Sequence, residues 1–429
     1  YIASEDETVA WGAYDPQLDG QFTYDSIEEP SNFNLNVGVT QSENYRTGGD
    51  VGFTGLVPFL GSSYELRFDS LQDDNNSSNT RFDPTLASHF ILSLAQPLLK
   101  DLFFNDEWTK VQTSYLTSES ALDNFRKQVM DTVKEIASDY WILIANEEKA
   151  RVAEKSLERA RALLEQTKTQ FEVGVISKVE VVESEAGVAD REFNLILAQN
   201  AYRKSQDDLI DVVLGRHFAA VSTLEIAPTD RPEDYVSYEI DVEESARKAF
   251  AHRPELAVKR KEFEQRELEL AFARNQRLPQ LDFVVSYGNR GLAGDGNEKA
   301  CNFVDNTPNP SNPGGVSDRA LCLANAATIT SGYGETFDGF FTPDASEQVT
   351  VGAVFSIPIP NTSARATASK RELELRKTRS ELARLEQDII LEVRKSVRDL
   401  ESAQQGIRAA ERGEAAATEQ LRAERIRLE

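Results

Sequence analysis

From Leu18 the side chains alternate strictly. Leu18, Gly20, Phe22 and Tyr24 fall on one side and Asp19, Gln21, Thr23 and Asp25 on the other, which predicts a strand with one apolar and one strongly polar face. The same rule governs Phe33, Leu35, Val37 and Val39 against Asn34, Asn36, Gly38 and Thr40, and Tyr64, Leu66 and Phe68 against Glu65, Arg67 and Asp69. Phe90, Leu92 and Leu94 alternate with smaller or polar partners before Gln96-Pro97. Far downstream, Leu281, Phe283, Val285 and Tyr287 lead out, and Val349, Val351, Ala353, Phe355 and Ile357 lead back to Pro358. One such run fits a half-buried strand in a soluble sandwich equally well. Repeated, with a single apolar face each time, the runs predict a barrel wall between lipid and water. The segments joining them, 70–84 and 288–348, are long and polar and predict exposed loops. Asp73-Asp74-Asn75-Asn76 lacks the ligand spacing of a calcium loop.

Elsewhere the period changes to that of helices. From Asn105 to Phe171 there is neither proline nor glycine, which allows one helix roughly 100 Å long. Leu122, Val129, Ile136 and Leu143 recur every seven residues, with Val133 and Tyr140 between them. Ala150, Ala153, Leu157, Ala160, Leu164, Thr167 and Phe171 continue in steps of three and four, as in a coiled coil. The pattern turns at Val173-Gly174-Val175-Ile176-Ser177. Gly174 is placed as a helix C-cap, Ser177 as the next N-cap, and Glu180 completes a capping box. The returning helix runs to about Leu214 with two seams, Val181, Val188, Leu195, Tyr202, Leu209 and Val182, Ala189, Ile196, which predicts helical neighbours on both sides. Two shorter helices then meet at Arg253-Pro254-Glu255, and a last one starts near Ala364 and is still running at Glu429.

The chain is written twice. Pro16-Gln17-Leu18-Asp19 recurs as Pro279-Gln280-Leu281-Asp282, each followed by an alternating run reaching Tyr24 or Tyr287. The predicted segments are the end of an upstream helix (1–14), first-repeat strands (15–98) and a long helical hairpin (99–214) with its tip at 172–178. A mixed patch with shorter helices (215–276), second-repeat strands (277–360) and an ascending helix (361–429) lacking its descending partner follow. That missing partner, and a start at Tyr1 without a leader, predict that the sequence is part of a longer, exported protein.

Composition narrows the function. A net charge of −25 argues against nucleic-acid binding and favours cations in any enclosed passage, beyond keeping the surface soluble. No stretch reaches the roughly 18 apolar residues of a spanning helix, which leaves a β-barrel open. Cys301 and Cys322 bracket one Asn-, Pro- and Gly-rich loop; the pair predicts a disulfide in an oxidising compartment, the alternative being two unpaired thiols. Closing that loop contributes about 3 kcal/mol. His89, His217 and His252 have no metal-ligand spacing, and no phosphate loop, nucleophile elbow or isolated acid–base pair is present. The expectation is no metal, no cofactor and no enzyme activity.

Several landmarks occur in a fixed order: Gln96-Pro97-Leu98-Leu99, Phe171-Glu172-Val173-Gly174-Val175-Ile176-Ser177, Arg253-Pro254-Glu255-Leu256, Arg277-Leu278-Pro279-Gln280-Leu281-Asp282 and Val354-Phe355-Ser356-Ile357-Pro358. Together they resemble the TolC-like outer-membrane efflux proteins across nearly the whole chain. The resemblance implies an α+β membrane protein. A trimeric outer-membrane β-barrel would be continued by a long periplasmic α-helical barrel, with an internal repeat. It implies a homotrimer in the outer membrane of a Gram-negative bacterium, lipid against Leu18, Phe22, Tyr24, Leu281, Phe283, Val285, Tyr287, Val351 and Phe355. A periplasmic adaptor would dock at Phe171, Val173, Gly174, Ser177 and Glu180, with an inner-membrane transporter beyond it. The function implied is an exit duct for a tripartite efflux pump or type I secretion system; a periplasmic adaptor or coiled-coil scaffold is the alternative. The family usually supplies four strands per subunit, whereas residues 31–71 add more. The reading favoured is four barrel strands with an extra hairpin packed elsewhere, the alternative a larger barrel.

Overall fold

A computed structural model describes residues 1–30, 41–77, 79–215, 224–231, 239–341 and 346–428. The alternating run from Phe33 to Val39 and His217 lie outside the described residues. The chain divides into two compact units, Tyr1–Glu119 with Arg260–Glu381 and Ser120–Lys259 with Leu382–Glu429. No helix among the described residues is long and apolar enough to cross a membrane.

The first unit holds one antiparallel sheet. Its strands are β1 (Gln17–Pro30), β2 (Gln41–Leu56), β3 (Ser63–Asn75), β4 (Phe82–Pro97), β5 (Gln280–Gly296) and β6 (Ser346–Ser356), and they lie side by side in chain order. Thus β2 and β3 sit between β1 and β4, and the extra hairpin is not packed elsewhere, as the favoured reading had it. The cause is visible at both ends of the hairpin. At its inner turn Phe59 lies 4.7 Å from Phe103 and 6.2 Å from Trp108, ring to ring, and Trp108 also meets Trp11 of α1 (Ile2–Trp11). At its other end Arg46 binds Asp73 at 2.8 Å, which extends the ladder through residues read from sequence as loop.

The long connection after β5 is also more ordered than its composition implies. The strand runs on to Gly296 and is followed by 3-10 turns and two helices, α6 (Asp318–Ala326) and α7 (Tyr333–Phe341), counting in chain order. Cys301 and Cys322 are bonded, with Cα atoms 5.7 Å apart. The buried Asn297 carboxamide donates to the carbonyls of Ser77 and Thr80, and Lys299 pairs with Asp83 at 2.5 Å. These contacts pin the disulfide-closed segment to the turn between β3 and β4.

The remaining helices are α2 (Asp106–Glu172), α3 (Lys178–Leu214), α4 (Val242–His252), α5 (Pro254–Asn275) and α8 (Thr362–Leu428). Asn105 caps α2, its carboxamide oxygen accepting from the Trp108 amide at 2.8 Å. In the second unit Leu143, Ile144, Leu157, Leu209, Ile210, Ile389, Val393 and Val397 are buried. Leu122, Val129, Val133, Val182 and Ile196, from the seams read in sequence, are exposed in the single chain.

The Arg253-Pro254-Glu255-Leu256 junction is a fastening. Leu256 is fully buried, and the Arg253 guanidinium binds Glu255 at 3.1 Å and Glu392 of α8 at 2.5 Å. That hydrogen bond from Arg253 holds the Glu392 carboxyl below the usual carboxylate range. A depressed acid stabilises the fold above its unfolded value, and the benefit is lost as pH falls through the folded one. Arg253→Ala is expected to cost about 1.5 kcal/mol. It should also remove this part of the acid sensitivity, both read from thermal melts followed by circular dichroism at pH 7 and pH 4.

Candidate functional site

Register decides which side chains share a face, because directly opposed residues in an antiparallel pair point the same way. Leu18 opposes Phe53, Phe53 opposes Leu66, Leu66 opposes Leu92, Leu92 opposes Tyr287 and Tyr287 opposes Val349. An unbroken apolar row therefore crosses all six strands. A neighbouring row joins Tyr64, Leu94, Val285 and Val351; another pairs Leu281 with Phe355. Phe22, Tyr24 and Phe283 fall on this face too. It stays uncovered over much of its area: Leu18, Phe22 and Val351 are 74%, 76% and 63% exposed. A contiguous apolar surface of this kind marks a contact with lipid or protein.

The opposite face is polar. One row reads Gln21, Asp50, Asp69, His89, Arg290 and Ser346 across the six strands. Within it His89 Nδ1 bonds Asp69 Oδ2 at 2.6 Å. The adjacent row, Asp19, Gly52, Arg67, Ile91, Gly288 and Gln348, is mostly small or polar. Asp69 is legible in the sequence as the polar side of its own strand, but its alignment with Asp50 and Arg290 exists only in the ladder.

Part of the apolar face is covered by α7. Phe337 stacks on Phe68 with centroids 5.4 Å apart, and the Ser88 and Thr336 hydroxyls meet at 2.8 Å. Asn289 donates to the Phe340 carbonyl at 3.2 Å. Gly291 permits this approach: a Cβ there would stand 1.7 Å from the Thr336 carbonyl oxygen. The edge strands stay uncovered along their whole length.

The turn between α2 and α3 is built as its sequence dictates. Gly174 has φ +80°, its amide bonds the Phe171 carbonyl at 3.0 Å, and the Val175 amide bonds that of Gln170 at 2.9 Å. This is the paired closure of a left-handed glycine cap. Ser177 is the N-cap of α3, but no amide bonds its side chain; its hydroxyl instead donates to Glu180 Oε1 at 3.4 Å. The reciprocal capping box expected there is not formed. Val173 and Val175 project into solvent, 70% and 72% exposed. A groove of about 480 Å³ beside the turn is lined by Leu163, Thr167, Ile176, Glu180 and Arg191, among others.

The model for outer membrane efflux proteins matches residues 49–213 and 246–429. The chain belongs to the outer membrane efflux protein family. Its fold is similar to that of the outer-membrane channel OprN at 14% identity and a TM-score of 0.55, over 94% of this chain and 68% of that one. It is likewise similar to CusC, at 13% and 0.54 over 94% and 72%, and to VceC from Vibrio cholerae, at 11% and 0.50 over 90% and 70%. Comparison with curated protein sequences gives no match. Family and fold support an efflux duct of the outer membrane rather than the adaptor alternative. The match begins at Gly49, so β1 and the first part of β2 lie outside it.

Proposed function

We propose that this efflux protein is one protomer of a homotrimeric exit duct that serves a tripartite efflux pump or a type I secretion system. The observation that carries the reading is the apolar row crossing all six strands, opposed by a polar face, in a family of outer-membrane channels. The apolar face, with Leu18, Phe22, Tyr24, Leu281, Phe283, Val285, Tyr287, Val351 and Phe355, meets lipid, and the polar face lines the passage. The exposed seams of α2 and α3 pack against helices of neighbouring protomers to make the helical tunnel. Conduction is passive, driven by an inner-membrane transporter reached through a periplasmic adaptor. Planar-bilayer recording of the purified protein is expected to show stepwise conductance; its absence, even with the tip mutated open, counts against a duct.

The adaptor docks at the turn carrying Phe171, Val173, Gly174, Ser177 and Glu180. Gly174→Val forces a β-branched residue to φ +80° and is expected to strain the turn by about 1–2 kcal/mol. No atom stands within 4 Å of a Cβ placed there, so the penalty is conformational and not steric. Adaptor crosslinking should fall in Gly174→Val and be largely kept in Gly174→Asn, since asparagine tolerates this region. Equal crosslinking in wild type and Gly174→Val removes the turn from the docking site.

A further inference from the structure

We infer that all six strands belong to the barrel wall. The β1 edge of one copy pairs with the β6 edge of the next, so that three copies close an 18-stranded barrel. This rests on the exit-duct reading and adds to it the composition of the wall and the partner of each open edge.

Three observations place β2 and β3 in the wall. Their ladders to β1 and β4 are continuous, and the apolar row Leu18–Phe53–Leu66–Leu92–Tyr287–Val349 runs through them without a break. A hairpin packed outside the membrane has no reason to keep Phe53 in register with Leu18 and Val349, Val51 with Phe68 and Phe90, or Asp50 and Asp69 with Gln21 and Arg290. The strands are 16 and 13 residues long, ample for a tilted crossing of the hydrocarbon. Their inner turn is seated by Phe59 on Phe103 and Trp108, beside the start of α2.

The edges then name their partner. Among the described residues β1 and β6 each have one neighbour and one open side, and both are exposed along their full length. Unpaired backbone groups cannot remain in hydrocarbon. Six is even, so β1 and β6 run in opposite directions and meet antiparallel in adjacent copies. On such pairing Leu18 and Phe22 stay on the side of Val349 and Val351. Barrel diameter grows roughly linearly with strand number, so six strands per copy give a bore about 1.5 times that of four. The passage is wide enough for larger cargo than a four-stranded protomer admits.

The test reports the hairpin and the duct separately. Single cysteines at Val51 and Phe53 in β2, and at Val285 and Val351 in β5 and β6, carry a fluorophore in the protein reconstituted in liposomes containing nitroxide-labelled lipid. Quenching of comparable depth at all four positions is the expected result. Quenching at Val285 and Val351 but not at Val51 and Phe53 overturns the six-stranded wall and leaves the duct standing. No quenching anywhere overturns both. For the edges, Thr23→Cys or Gln21→Cys is combined with Thr350→Cys or Gln348→Cys. These positions lie at opposite ends of one sheet, so oxidation joins only different copies. Covalent dimers and trimers on denaturing gels are expected from at least one combination, and monomers from every combination overturn the pairing.

Discussion

Val351→Arg is expected to abolish stable insertion, whereas Thr350→Arg, one residue away on the same strand, leaves it nearly intact. Val351 opposes Val285 on the apolar face and is 63% exposed in the single chain. Thr350 opposes Ser286 on the polar face. An arginine turned toward the hydrocarbon midplane costs a barrel about 2–4 kcal/mol, against almost nothing on the lumen side. In a homotrimer the penalty is met three times, because each copy carries the change. Folding yield into phosphatidylcholine vesicles, followed by the heat-modifiable shift on gels, should separate the two variants by more than tenfold. Equal yields would mean that β6 does not present Val351 to lipid. Leu18→Arg and Asp19→Arg form the matching pair on β1 and should behave alike.

The alternation that places Val351 was legible because a strand repeats every two residues, so one buried or lipid-facing side stamps itself on the sequence. Where that demand fades, so does the signal. Within residues 31–71 the stretch that forms β2 shows no clean alternation because Gly48, Gly49, Gly52 and Gly55 occupy four of its positions, leaving Tyr45, Val51, Phe53 and Leu56 as scattered apolar marks. Tyr64 lies against Gly55, so a neighbour supplies the apolar cover that the strand's own sequence lacks. Residues 70–75 read as loop because Asp73 and Asp74 interrupt the pattern, yet the ladder to Asn44, Tyr45 and Arg46 continues. Helix α7 was hidden among glycines; Phe337 and Phe340 acquire a role only through Phe68, which is more than 260 positions earlier in the chain. The hairpin turn shows the reverse case. Gly174 is specified locally by backbone geometry and could be placed from sequence, whereas the bond Ser177 makes depends on rotamers that spacing does not fix.

Replacing Asp50 by lysine is expected to shift the passage from cation toward anion preference. Asp50 lies in the polar row between Gln21 and Asp69, and Asp69 is engaged by His89 at 2.6 Å. Among the described residues Asp50 is thus the negative charge in that row that makes no ion pair, and Arg290 stands on the same face two strands beyond Asp69. Charges on a concave, low-dielectric wall set potentials of one or more kT at the surface, and a change of two units per copy alters the cation-to-anion permeability ratio roughly fivefold. The reversal potential across a tenfold KCl gradient reads this directly. Asp50→Asn should give about half the shift. Salt supplies the control, since the Debye length falls from about 10 Å at 0.1 M to about 3 Å at 1 M and the difference between variants should shrink with it. An unchanged reversal potential at low salt in Asp50→Lys would place the polar row away from the conducting path, and with it the assignment of the two faces of the sheet would invert.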